Sequence, residues 1–493
     1  MSLMKMSIMS NMQKLRNASR VQLCLVAALA LFVLFRLLAP IWMGQFGPDE
    51  SLLVLKIKDI FNGAPVPLVN WMNTHGLYNG PYPIYFLMFI YTISQFNLGL
   101  ALFQTGVLYV LSSFLVAAAV PPGKIRIWVL LFALTSPLHF YFSLMGLGDG
   151  IFLIPISALV LFLHSQKRAG VLYNFLIGAL LGMAAGVHIT ASFLVAGISL
   201  SRLFIYRSIR TILGLCSGFV LGVLPYAIGL WVNRSAMSPS LVRPGDENTS
   251  PLLVDIPRAL FRFLGQQAQV RINGTGVLLT AEDLLAQATL VFAVFLFLIS
   301  VAFLCYRWKE IASSPTLTAV FLCAAFYIPF GWFTNTLLLT YGGHAIWWIA
   351  PIVIPAIILW LVPGKVGPLC LSLIVIFNLA TLVIQYTPRI VNGTQASYAY
   401  GHGPSWWAYE EVAASLCAEV SNQKPKQGIT TIEMAGDPWN ERIRFILANL
   451  IKLKHPDCAQ RIQLIWSDST PGRVLRVEPD PDKIHLRVVW VTR

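Results

Sequence analysis

Residues 21–50 read VQLCLVAALALFVLFRLLAPIWMGQFGPDE. An apolar run long enough to cross a bilayer ends at Gly44, and two adjacent carboxylates, Asp49 and Glu50, follow almost at once. Lys14, Arg16 and Arg20 flank the run on its amino-terminal side, no small-residue cleavage site follows it, and it exceeds a signal-peptide core. It is therefore expected to be a retained membrane anchor. The acid pair admits two readings. Carboxylates favour the positive end of a helix dipole, so the pair could simply open the next helix. A partly buried carboxylate beside a second acid also has the raised basicity of a general base.

Composition settles the broader class. Of 493 residues, 57% are hydrophobic and 11% charged, against the roughly 25% charged residues of a soluble domain. Apolar stretches near or above the length of a bilayer core recur along most of the chain. An all-α polytopic membrane protein is expected. The net charge of +14 sits in short loops between apolar runs, which is the positive-inside pattern. No soluble basic face with interleaved aromatics is present, so a nucleic-acid partner is excluded.

Basic clusters fall at 14–20, Lys124 with Arg126, Lys167 with Arg168, 202–210, Arg307 with Lys309, and Lys365. All lie on one side if the spans are about 21–43, 100–120, 126–143, 149–164, 171–187, 190–204, 211–232, 285–305, 315–331, 344–362 and 366–387. This gives about 11 transmembrane helices, a cytoplasmic amino terminus over 1–20, a membrane domain over 21–387 and an extracytoplasmic tail over 388–493. The count requires PYPIYFLMFIYTISQ (81–95) not to cross. Long external loops are expected at 44–97 and 233–284. In the first, SLLVLKIKDIF (51–61) repeats Leu52, Leu53, Ile57, Ile60 and Phe61 at helical spacing, with Lys56, Lys58 and Asp59 largely opposite. That pattern predicts an amphipathic helix lying along the membrane.

The tail reads as a small α/β domain. Residues 406–420 are periodic enough for a helix, ITTIEM (429–434) alternates like a strand, and Asp437 before Pro438 caps a helix to about Leu453. IQLIW (462–466) and KIHLRVVWV (483–491) supply further strands. Of seven cysteines, only Cys417 and Cys458 lie in this polar tail, where an oxidising compartment would allow a disulfide between them.

Ionisable groups at membrane depth are costly, so those near span ends are candidates for function. Asp49, Glu50, Asp149 and His344 all fall at external ends of spans and could share one outward-opening cavity. Asp149 closes SPLHFYFSLMGLGDG (136–150), where proline and glycines interrupt the apolar pattern and His139 and Tyr141 add polar contacts. Asp149 could equally cap the next span. His188 and His344 are packed polar residues or cations for a phosphate leaving group. Arg243, Arg258, Arg262 and Arg271 of the second long loop are further phosphate candidates. No Walker A loop, HExxH, paired CxxC or GxSxG motif is present. EPDPDK (478–483) spaces Asp480 and Asp482 as D-x-D, but its prolines make it a turn rather than a metal site.

With these residues in view, the chain resembles the GT-C glycosyltransferases, in particular the group of protein O-mannosyltransferases, the lipid A aminoarabinose transferase and related polyprenyl-phosphate-sugar enzymes. The acid pair straight after the first span, the proline-rich GPYPIYFL (80–87) that carries Tyr82, the TSPLHFYFSLMGLGD stretch (135–149) and GALLGMAAGVHITASFLV (178–195) stand in the family's order over about 20–390. The stretch before Asp149 lacks the family's usual arginine, and His188 and His344 stand where relatives often carry lysine or arginine. The resemblance implies an inverting glycosyltransferase at the extracytoplasmic face of a bacterial inner membrane. Its donor would be a polyprenyl-phosphate sugar, its acceptor a glycan, lipid or protein hydroxyl, and membrane lipids would surround it. Asp49 would be the base, Glu50 and Asp149 would orient acceptor and base, and His344 would face the donor phosphate. No cofactor is implied, and a divalent metal is not favoured. The rival readings are a flippase or transporter of a lipid-linked sugar, against which the lack of broken segments in the carboxy-terminal half speaks, and a non-catalytic scaffold.

Overall fold

The computed structural model describes residues 20–44, 48–70, 78–144, 152–188, 191–237, 302, 306, 309, 314–333, 345, 347–362, 364–392, 406–422, 430–435, 439–467 and 487–491. The first helix, α1 (Arg20–Met43), is followed by α2 (Pro48–Phe61), α3 (Tyr82–Ser94) and α4 (Leu98–Ala119). At about 1.5 Å per residue α1 is roughly 36 Å long, enough to span a hydrocarbon core. Gly44 packs on Leu102, and Gly106 lies against the backbone at Leu37. Residue numbers rise along α1 as they fall along α4, so the two helices run antiparallel. Gly44 and the start of α4 therefore share one end of the bundle. The chain between them therefore makes an even number of crossings or none, and α3 within it is about 20 Å long by the same rise.

Beyond α4 come α5 (Lys124–Thr135), α6 (Pro137–Leu144), α7 (Leu153–Ser165), α8 (Val171–Val187), α9 (Ser192–Tyr206) and α10 (Ile209–Val232). Ser136 and Pro137 divide α5 from α6, because proline offers no N–H and clashes with the preceding turn. The α8–α10 seam is written in glycine. Gly178 and Gly182 rest on the backbone at Leu215 and Phe219, while Gly214, Gly218 and Gly222 rest on α8 at Val171, Phe175 and Ala179. Numbers rise together along both helices, so they are parallel, and α9 must return the chain between them. Four-residue spacing of small residues lets two backbones approach this closely in lipid, where packing rather than hydrophobicity drives association.

The chain continues with α11 (Pro315–Phe333), α12 (Ile349–Leu361) and α13 (Val366–Asn392). Three of the described helices contain segments long and apolar enough to cross a membrane, Val26–Met43, Leu98–Ala119 and Ile209–Val232, and seven further apolar segments are shorter. The tail contributes α14 (Trp406–Asn422), β1 (Thr430–Ala435), α15 (Trp439–Lys454), α16 (Pro456–Ala459), β2 (Ile462–Ser467) and β3 (Arg487–Val491). The sheet order is β2-β1-β3, with β1 parallel to β2 and antiparallel to β3.

Two poles result. At one, Thr316 Oγ1 donates to Ala119 O at 2.6 Å, His164 Nε2 meets Ser201 Oγ at 2.9 Å and Pro315 O at 3.0 Å, and Arg202 Nε donates to Asn174 Oδ1 at 2.9 Å. Lys124 and Arg126 in the first turn of α5, and Lys167 and Arg168 in the loop after α7, belong to this basic pole. At the other pole lie Gly44, the start of α2 and the tail.

Candidate functional site

Pro48 opens α2, which makes Asp49 and Glu50 its second and third residues. Proline at the first position has its φ preset and loses no bond there, and acids in the first turn meet the positive dipole end. The capping reading and the catalytic reading thus coexist. At 3.6 residues per turn, positions 49 and 50 differ by about 100° around the helix. Glu50 is only 5% exposed. Its charge is felt by Tyr91 of α3, whose phenol is held well above its usual range by burial first and by the Glu50 charge second.

The apolar stripe of α2 differs from expectation. Leu53, Val54 and Ile57 are fully buried, whereas Leu52 and Phe61 are exposed. The buried stripe continues from Glu50 into the protein, so α2 is not free to lie on lipid by the face expected. Its polar side is also engaged. Ser51 Oγ accepts from Asn449 Nδ2 at 3.0 Å, and Lys58 Nζ donates to Lys452 O at 3.2 Å and to Leu453 O. Lys58 thereby caps the carbonyl end of α15, where a cation suits the dipole.

The tail also holds the other flank of the acid pair. Trp406 donates through Nε1 to Ile41 O at 2.7 Å and through its backbone N–H to Gly44 O at 3.1 Å. Lys454 reaches Phe96 O at 3.2 Å while pairing with Glu410 at 3.1 Å. Cys417 and Cys458 form a disulfide that joins α14 to α16.

A second polar cluster lies within the bundle. Arg36 sits in α1 roughly 10 Å before its end and is 1% exposed. Its Nη2 is 3.0 Å from His139 Nδ1, and its Cζ lies 4.7 Å from the Phe140 ring centroid. A guanidinium only donates, so Nδ1 must accept, which puts the ring proton of a neutral His139 on Nε2. His139 in turn stacks on Trp347 with centroids 4.1 Å apart and lies 5.2 Å from Tyr109. Sequence reading had missed Arg36; the signal was a single arginine inside LFVLFRLLAP, costly in lipid unless it turns inward.

The first loop straps the ends of α8 and α10. Gly80 lies against the backbone of Gly186, Tyr226 Oη donates to Tyr78 O at 2.8 Å, and Tyr85 Oη donates to Pro67 O at 3.0 Å. Tyr82, a candidate for substrate contact, packs its ring on Gly186 and donates its hydroxyl to Gly222 O. Its hydroxyl thus serves the strap in this structure. His139 is similarly committed, being 0% exposed and bound to Arg36. His188 caps α8, accepting at its carbonyl from Ala191 N–H at 3.0 Å. Asp149, His344, Arg243, Arg258, Arg262 and Arg271 lie outside the described residues, as do the side chains of Asp49 and Tyr141.

Comparison with known protein families and with characterised proteins finds no match. Two solved structures are similar. ArnT from Cupriavidus metallidurans in the apo state superposes with a TM-score of 0.46 at 12% identity, over 90% of each chain. The apo oligosaccharyltransferase from Archaeoglobus fulgidus gives 0.41 at 14% identity, over 90% of this chain and 64% of that one. Both belong to the GT-C superfamily. With TM-scores below 0.5, neither assigns a residue or a reaction to this chain.

Proposed function

We propose that this membrane protein is an inverting glycosyltransferase that moves a sugar from a polyprenyl-phosphate donor to an acceptor hydroxyl at the extracytoplasmic face. The acceptor, a glycan, lipid or protein, attacks the anomeric carbon opposite the leaving group. The bond from that carbon to the phosphate oxygen breaks, and polyprenyl phosphate departs with the electron pair. Asp49 takes the hydroxyl proton. Glu50 and Asp149 orient base and acceptor, and His344, with His188, Arg243 and Arg271, offers positive charge to the phosphate. No metal or other cofactor is required.

One observation carries this reading. The acid pair opens a helix at the end of a membrane-length span, with Glu50 buried and the tail packed against the same helix. A glutamate that served only as a solvated cap would have no need of such enclosure. The sequence resemblance set out above supports the same chemistry. The orientation belongs to the proposal: the basic pole faces the cytoplasm, and the disulfide-bearing tail faces an oxidising compartment. About eleven crossings satisfy it.

The test is mass spectrometry of lipid retained by the gently purified protein. A polyprenyl phosphate, bare or sugar-bearing, is the expected species. Bulk phospholipid alone, together with failure to bind added polyprenyl phosphate, would overturn the reading.

A further inference from the structure

We infer that the tail is a clamp on the acid pair and that Asn449 is a positioning residue for it. This rests on the proposed function, in which 49 and 50 are working positions. The segment that carries both acids begins as α1 ends and runs into the first turn of α2. The tail grips it at both ends. Upstream, Trp406 at the start of α14 binds Ile41 O and Gly44 O. Downstream, Asn449 of α15 binds the Ser51 hydroxyl, one residue beyond Glu50, at 3.0 Å in a buried contact. Lys58 fixes α2 to the end of the same tail helix a further two turns along. The grips belong to two tail helices, and the Cys417–Cys458 bond closes the unit that contains them by tying α14 to α16, which directly follows α15.

The consequence is geometric. A helix held at one end pivots about that end, so its first residues swing most. Holding both ends of a short segment removes that freedom. Since displacement of about 1 Å can cost about 100-fold in turnover, the grips have a function that general stability would not require of them. The Asn449–Ser51 bond is the one nearest the acids. Loss of the disulfide would loosen both grips together, so turnover would depend on the redox state of a pair of cysteines remote from any substrate.

The experiment uses the full-length protein in detergent or nanodiscs. Asn449→Ala, Ser51→Ala and the double variant are each expected to lower kcat about 10- to 100-fold with KM unchanged, and the double variant to be no worse than either single one. Ser51→Thr, which keeps the hydroxyl, should restore most of kcat. Replacing Cys417 and Cys458 together by serine should give a loss of similar size. Hydrogen exchange provides a readout independent of transfer: amides at 49–53 should exchange faster in Asn449→Ala, while those of α8 and α10 stay unchanged. Unchanged exchange at 49–53, or additive losses in the double variant, would overturn the clamp. If Asp49→Asn abolishes transfer while Asn449→Ala changes neither kcat nor exchange, the clamp fails and the proposed function stands. If exchange responds as expected but the wild type binds no polyprenyl phosphate, the function fails and the mechanical grip stands.

Discussion

Gly80 offers a sharp perturbation of the strap that crosses the acid pole. A Cβ placed there would come within 2.6 Å of Gly186 C and 2.8 Å of its Cα, against about 3.5–4.0 Å for ordinary carbon contacts. Both opposing atoms are backbone, so no side chain can swing aside. Gly80→Ala must move the strap off the end of α8 by more than about 1 Å, because the Cβ would fall closest of all to Gly186 O. The bonds at risk are Tyr82 to Gly222 O and Tyr226 to Tyr78 O, each worth about 1 kcal/mol net, with about 1–3 kcal/mol of overpacking added. The expected destabilisation is therefore about 3–5 kcal/mol, read as the thermal unfolding of purified protein. Gly170→Ala is the control, because a Cβ there meets nothing within 4 Å and its φ of −59° suits any residue. If Gly80→Ala unfolded at the wild-type temperature, the described contact between strap and helix would be wrong.

Other substitutions test other joints. Gly182→Val should destabilise the α8–α10 seam by about 1–3 kcal/mol, since its Cβ would meet Val223 N at 2.8 Å and Gly222 C at 2.9 Å; a wild-type melting curve would contradict the seam. His139→Phe keeps a ring against Trp347 but removes the acceptor 3.0 Å from Arg36, so it should cost about 1–3 kcal/mol, again by thermal unfolding. No loss would mean that this bond carries no weight. In a background lacking the five cysteines outside the disulfide, Cys24, Cys216, Cys305, Cys323 and Cys370, Asn62→Cys should react with an impermeant maleimide added outside intact cells, and Lys124→Cys only after permeabilisation. Labelling of both from one side would contradict the two-pole arrangement.

The sequence revealed what local pattern encodes. The first span and the strand near 462 stand where the local pattern placed them. What it hid is non-local. Leu52, Leu53, Ile57, Ile60 and Phe61 form one helical stripe, but Leu53, Val54 and Ile57 with Glu50 form another that overlaps it, and only the presence of α3 and α15 selects between them. Lys58 looked like a solvated residue because its acceptors lie nearly 400 positions away. Arg36 was hidden by its apolar neighbours, and its acceptor is 103 residues distant. Trp406 reads as part of a tail helix, with nothing local to tie it to Ile41.

The most direct measurement is the single-turnover rate of Asp49→Asn against wild type, using polyprenyl-phosphate sugars extracted from the native membrane. Losing a general base costs about 100- to 10,000-fold, so the account predicts a fall of that size at unchanged expression and unfolding temperature. Transfer within a factor of two of wild type would contradict it, because the carboxylate at 49 would then be taking no proton.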